Sequence, residues 1–262
     1  MFDCSSVSLV NSTLKNMNDY TRYENLRGTI LPSGRLVKQF YNTKTIKYGK
    51  YIEHTRYKSP RLLFSETQPR NRTARNEDEN SERAERSIIR TRKKVRQLVA
   101  CNLTAWGHKP IFFTLTYREN MQDLRESNAE FKKFIRRLRC FLGYSPKYLV
   151  VVEFQKRGAV HYHGILFNCP YISIPDFKTL WNLGSVDLKL VRNNLEWYLV
   201  KYLTKETFDK RLYGEKVYFC SRGLFRPTEH YAFDKTIQAD NMDIVYSKKS
   251  DDINKIILKH NE

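Results

Sequence analysis

The chain has 262 residues, 47 of them Lys or Arg and 28 Asp or Glu, for a formal net charge of +19. That excess argues against an acidic metabolic enzyme and for a polyanionic partner, nucleic acid before an anionic membrane surface. At 40% hydrophobic and 13% aromatic residues, the composition suits a folded core rather than a disordered chain.

No apolar run approaches the ~20 residues of a membrane helix. The first residues lack a signal peptide's basic and apolar regions, so a soluble intracellular protein is expected. Five cysteines, at positions 4, 101, 140, 169 and 220, are scattered and never in CxxC spacing. They point to reduced thiols rather than a disulfide frame or zinc ribbon.

In chain order, residues 1–60 predict short strands around a turn at Leu31-Pro32-Ser33-Gly34, and 66–80 a polar linker. A helix is predicted from about Ser81, with Ile88, Ile89, Val95, Leu98 and Val99 on one face. Its other face carries Arg83, Arg86, Arg90, Arg92, Lys93, Lys94 and Arg96. Residues 111–117 form a β-branched and aromatic strand. A second basic helix follows over 128–142, where Phe131, Phe134, Ile135 and Leu138 recur at helical spacing and Lys132, Lys133, Arg136, Arg137 and Arg139 cover the remainder.

Strands are predicted at 148–154 and 160–167, a short helix at 176–182, a strand at 185–191 and a helix at 195–206. The last ~55 residues are mixed and polar. This order describes an α+β fold with a central, largely antiparallel sheet and flanking helices. An N-terminal β-rich extension and linker (1–80) and a C-terminal accessory segment (226–262) bracket a core domain at 81–225. More than half of the net charge falls on the two basic helices, because residues 83–96 carry seven basic and one acidic side chain and 130–139 carry five and one. No GxxxxGK[ST] loop is present, so no fused ATP-driven helicase is expected.

The segment Glu153-Phe-Gln-Lys-Arg-Gly-Ala-Val-His161-Tyr-His163 carries the most chemistry. Two histidines at i and i+2 on a strand share a face. A three-residue loop at Lys156-Arg157-Gly158, with glycine at its left-handed position, places Glu153 opposite His161. A two-residue loop would send Glu153 to the other face. HxH alone also suits an ordinary core strand; the opposed carboxylate favours a metal. A site of one carboxylate and two imidazoles, without thiolate, suits Mn²⁺ or Mg²⁺, while imidazoles also accept zinc or nickel.

Farther on, Tyr198, Lys201, Tyr202 and Lys205 fall within one sector of about 100° on a helix, beside a stripe of Leu195, Leu199 and Leu203. Such tyrosines also serve as core and such lysines as solvated surface; the duplicated Tyr-x-x-Lys favours chemistry. A tyrosine hydroxyl, with its pKa of ~10, needs a base or cation to become a nucleophile. The two lysines supply a positive field that also stabilises a phosphoryl transition state.

Together, Phe113-Thr-Leu-Thr-Tyr117, the 153–163 segment and Tyr198-Leu-Val-Lys-Tyr-Leu-Thr-Lys205 resemble the HUH endonucleases. More narrowly, they resemble rolling-circle replication initiators related to filamentous-phage gene II protein and microvirus replication proteins. Ser221-Arg-Gly-Leu224 resembles a late family signature. The resemblance spans roughly residues 80–225.

It implies a ferredoxin- or RRM-like core with the metal hairpin at the sheet's centre and the tyrosine helix alongside. The implied reaction is site-specific nicking and rejoining of single-stranded or hairpin-extruded origin DNA through a 5′-phosphotyrosyl intermediate. The implied cofactor is Mn²⁺ or Mg²⁺, and the implied helpers are a host helicase and polymerase. A bacterial host's cytoplasm, at the DNA of a plasmid, phage or mobile element, is the implied setting. HUH before tyrosine is not the relaxase order; a single-tyrosine HUH transposase shares it. Two further readings compete with a tyrosine nickase. One is a nuclease using a metal-activated water. The other is a non-catalytic single-strand binding module, with basic helices on phosphates and tyrosines on bases.

Overall fold

A computed structural model describes residues 27–28, 30, 36–64, 77–191, 210–212, 215–237 and 241–260. The chain divides into two compact units, Arg75–Pro227 and a second made of Met1–Ala74 with Thr228–Glu262. The fold is α+β, with three helices and two antiparallel five-stranded sheets among the described residues. No helix among them is long and apolar enough to cross a membrane. No disulfide joins the four cysteines among them, Cys101, Cys140, Cys169 and Cys220.

In the terminal unit, β1 (Val37–Tyr48) and β2 (Tyr51–Phe64) form a hairpin that turns at Gly49-Lys50. The predicted turn at Leu31–Gly34 lies outside the described residues, although an isolated bridge joins Ile30 to Leu36. Residues from the C-terminal accessory segment add strands to the same sheet. Strands β8 (Thr228–Ala232), β9 (Met242–Lys249) and β10 (Ile253–His260) complete this sheet in the order β8-β1-β2-β10-β9. Its central strand buries Glu53, 2% exposed, against Lys255 Nζ at 3.0 Å. A carboxylate taken out of water needs such a counter-charge.

In the central unit, α1 (Glu77–Asn102) begins four residues before the predicted start. It is followed by β3 (Ile111–Tyr117), α2 (Leu124–Leu142), β4 (Tyr148–Phe154), β5 (Val160–Leu166), α3 (Ile174–Trp181), β6 (Gly184–Leu190) and β7 (Tyr218–Cys220). The run β3-α2-β4-β5-α3-β6, in a sheet ordered β6-β3-β5-β4-β7, is the split βαββαβ arrangement of ferredoxin-like folds. Strand β5 lies at the centre.

Helix α2 starts at Leu124 because Asp123 caps it, its Oδ1 accepting from the backbone N–H of Arg125 at 2.7 Å and Glu126 at 2.9 Å. It stops at Gly143, which adopts φ 74°. Ser173 caps α3, where Oγ accepts from the Asp176 amide at 3.2 Å.

Strand alternation sorts the central sheet into two faces. One face (Phe113, Leu115, Tyr117, Val150, Val152 and Tyr162) packs on Phe131, Phe134 and Leu138 of α2 and on Phe177 and Trp181 of α3. The other (Phe112, Leu149, Val151 and Ile165) packs on Val95, Leu98 and Val99 of α1. Gly164 is fixed by this packing: a Cβ there would lie 2.1 Å from the ring of its cross-strand partner Phe113. The fully buried phenylalanine lies where that side chain would stand.

Candidate metal centre and nucleic-acid interface

The β4–β5 loop has the predicted form. Gln155 N–H donates to Ala159 O at 2.9 Å, Gly158 N–H donates to Gln155 O at 2.8 Å, and Gly158 sits at φ 90°. The register therefore sets Glu153 opposite His161 and Val151 opposite His163. Arg157 clamps the loop to the end of β3, donating to the carbonyl oxygens of Tyr117 and of Arg118, the latter at 3.2 Å. Val160 N–H donates to Met121 O at 2.7 Å. One hairpin thus fixes where all three candidate ligands stand.

Both imidazoles lie on the α1-facing side of the sheet, their ring centroids 4.6 Å apart and their exposures 9% for His161 and 3% for His163. His163 Nε2 is 2.9 Å from Glu153 Oε2. On the neighbouring strand, Thr116 Oγ1 lies 3.1 Å from His161 Nδ1 and Thr114 Oγ1 lies 3.2 Å from His163 Nδ1. These threonines are the cross-strand partners of the same histidines. Phe112 stacks on His163 at 6.0 Å.

Among the described residues, no group of three or more His, Cys, Asp or Glu side chains surrounds a common ion position. His163 Nε2 here faces Glu153. The donor set nonetheless fits a divalent cation. Two imidazoles and a carboxylate share one face, and both Nδ1 atoms are occupied by hydroxyls. That leaves the Nε2 edges as the ligating ones.

Tyr162, between the histidines, faces the other way. Its hydroxyl donates to Asn128 Oδ1 at 2.9 Å and lies 2.7 Å from Ser127 Oγ. Burial pushes its pKa far above the ordinary phenol value, and that of neighbouring Tyr117 up to about 12. Neither is poised as a nucleophile. Tyr198, Lys201, Tyr202 and Lys205 lie outside the described residues.

Of the α1 cations, Arg83, Arg86, Arg90 and Lys94 are exposed, while Arg92, Lys93 and Arg96 are half-buried. This helix covers part of the histidine-bearing face. Helix α2 packs on the opposite face, so Lys132, Lys133 and Arg136, all exposed, stand away from the histidines. Arg137 is also engaged in the fold, donating to Leu180 O at 2.7 Å, Trp181 O at 3.2 Å and Asn182 Oδ1 at 3.3 Å. It closes the C-terminal end of α3.

The 221–224 segment has a structural part in these contacts. Ser221 Oγ accepts from Tyr148 N–H at 3.0 Å, and Leu224 is buried. Asn102 then holds the next residue, accepting from Phe225 N–H at 3.0 Å and donating to Phe225 O at 2.9 Å.

Thr114, Thr116 and Arg157 are not singled out by their chemistry in the sequence. A signal exists for the threonines: two hydroxyls at i and i+2 in an otherwise apolar strand share a face.

Residues 110–207 match the family model of replication-associated proteins of the ORF2 and gene II protein type. The match takes in β3 to β6 and the Tyr198–Lys205 segment, less than half of the chain. It supports a rolling-circle replication initiator role. Comparison with curated proteins gives no match, and neither does comparison with solved structures.

Proposed function

We propose that the chain is a metal-dependent HUH endonuclease that nicks one DNA strand through a tyrosine and rejoins it, initiating rolling-circle replication. The observation that carries this reading is the placement of Glu153, His161 and His163 on one face of the central hairpin, inside the segment similar to replication-associated proteins. Glu153, His161 and His163 would hold Mn²⁺ or Mg²⁺, which when bound polarises the scissile phosphate. Tyr198 or Tyr202 attacks the phosphorus, its proton leaving as the phosphotyrosyl bond forms. The bond to the leaving 3′ oxygen breaks, freeing a 3′-OH for a host polymerase. Lys201 and Lys205 stabilise charge on the attacking tyrosine and the phosphoryl oxygens. Exposed cations of α1 hold the backbone of single-stranded or hairpin-extruded origin DNA, and a host helicase supplies unwinding.

The test is a covalent adduct. The protein is incubated with Mn²⁺ and single-stranded oligonucleotides tiling the encoding gene and its flanks, with and without EDTA. A protein–DNA species resistant to SDS is expected, lost with EDTA and lost in the Tyr198→Phe/Tyr202→Phe double variant. Binding without an adduct across all oligonucleotides would favour the single-strand binding module. Cleavage without an adduct would favour a metal-activated water. In the single variants, an unchanged Tyr198→Phe beside an inactive Tyr202→Phe would reduce the chemistry to one tyrosine.

A further inference from the structure

We infer that Thr114 and Thr116 are positioning residues that orient His161 and His163 for a divalent cation, an inference that rests on the metal reading above. Strand β3 brings both hydroxyls to the histidine-bearing face, each opposite its own histidine. Thr116 Oγ1 meets His161 Nδ1 at 3.1 Å and Thr114 Oγ1 meets His163 Nδ1 at 3.2 Å. Both threonines are half-buried between flanking residues Phe113, Leu115 and Tyr117, which point into the opposite core. An apolar β-branched residue would pack equally well there, so the hydroxyl is what these positions add.

A hydroxyl both donates and accepts, unlike a carboxylate or an ammonium. His163 Nε2 faces the Glu153 carboxylate, and a hydroxyl opposite Nδ1 can donate to that nitrogen or accept from it, whichever tautomer the ring adopts. The contact would therefore hold the ring in the same orientation with Nε2 on the carboxylate or on a cation. His161 is held by the equivalent contact with Thr116, two pairs along the strand.

The test compares Mn²⁺ dissociation constants of the full chain, from the electron paramagnetic resonance signal of free Mn²⁺. Wild type is set beside Thr114→Val, Thr116→Val, the double Val variant and the matching Ser variants. Metal-free thermal melts report folding. Val is expected to weaken Mn²⁺ binding about 10–100-fold with melts near wild type, and Ser is expected to restore it. Val variants that fold and bind Mn²⁺ as wild type does would overturn the positioning role while leaving the metal site standing. Ser variants as weak as Val would overturn it too, showing that the hydroxyl by itself does not orient the rings. A wild-type chain that binds no Mn²⁺ would bring down the metal reading and this inference together.

Discussion

Tyr162 sits between two candidate ligands yet serves the opposite side of the sheet. Its hydroxyl completes a buried network with Ser127 and Asn128. Removing it in Tyr162→Phe takes one hydrogen bond from each of those partners, so denaturant unfolding should show a loss of about 1–3 kcal/mol. Mn²⁺ binding by the folded fraction should be unchanged, separating the middle residue of the His-Tyr-His triplet from its neighbours. Gly164 is the second residue whose identity is dictated by packing. Gly164→Ala drives a methyl into the Phe113 ring, and an overpacking loss of about 1–3 kcal/mol is expected in the same measurement. In the sequence the glycine reads only as a residue following a histidine. Its reason lies on β3, a strand 51 residues earlier by the Phe113–Gly164 pairing.

The hairpin is the element most legible in the sequence. Loop, register and shared face all follow from Gly158 and from the two-residue period, because the interactions are local. The start of α2 falls four residues before its predicted position for a related reason: apolar periodicity begins at Phe131, whereas the helix is set by Asp123. Asp123→Ala should cost about 1 kcal/mol, read from the unfolding midpoint. The basic helices are alike in sequence and differ in the structure. Replacing Arg83, Arg86, Arg90 and Lys94 of α1 by Gln should lower single-strand affinity. The log–log salt slope should fall by about 0.7 for each phosphate contact removed. Arg137→Ala should lower the melting temperature instead, since its guanidinium serves the end of α3, whereas Arg136→Ala should leave it unchanged.

On the scale of the whole molecule, the α+β class and the central antiparallel sheet are readable from the alternation of elements. The terminal sheet is not. Its strands pair residues as distant as Tyr57 and Ile253, and β9 is exposed at every position but Met242, so it shows no buried-face alternation to read. The net charge of +19 is legible from composition alone; that α1, and not α2, shares the face of the histidines is not.

Building one sheet from strands on both sides of the central unit's sequence also sets a schedule for synthesis. The β1–β2 hairpin leaves the ribosome before the central unit, and its partner β10 leaves after it. At about 5–20 residues per second, the intervening stretch leaves the inner edge of β2 and the Glu53 carboxylate waiting on the order of 10–40 seconds for Lys255. The central unit, Arg75–Pro227, has its last strand, β7, in hand at Cys220, shortly before Lys255 is added. A nascent chain is thus expected to hold a folded central unit beside an unfinished sheet, and pulsed proteolysis of stalled ribosome complexes should cut first within β1 and β2.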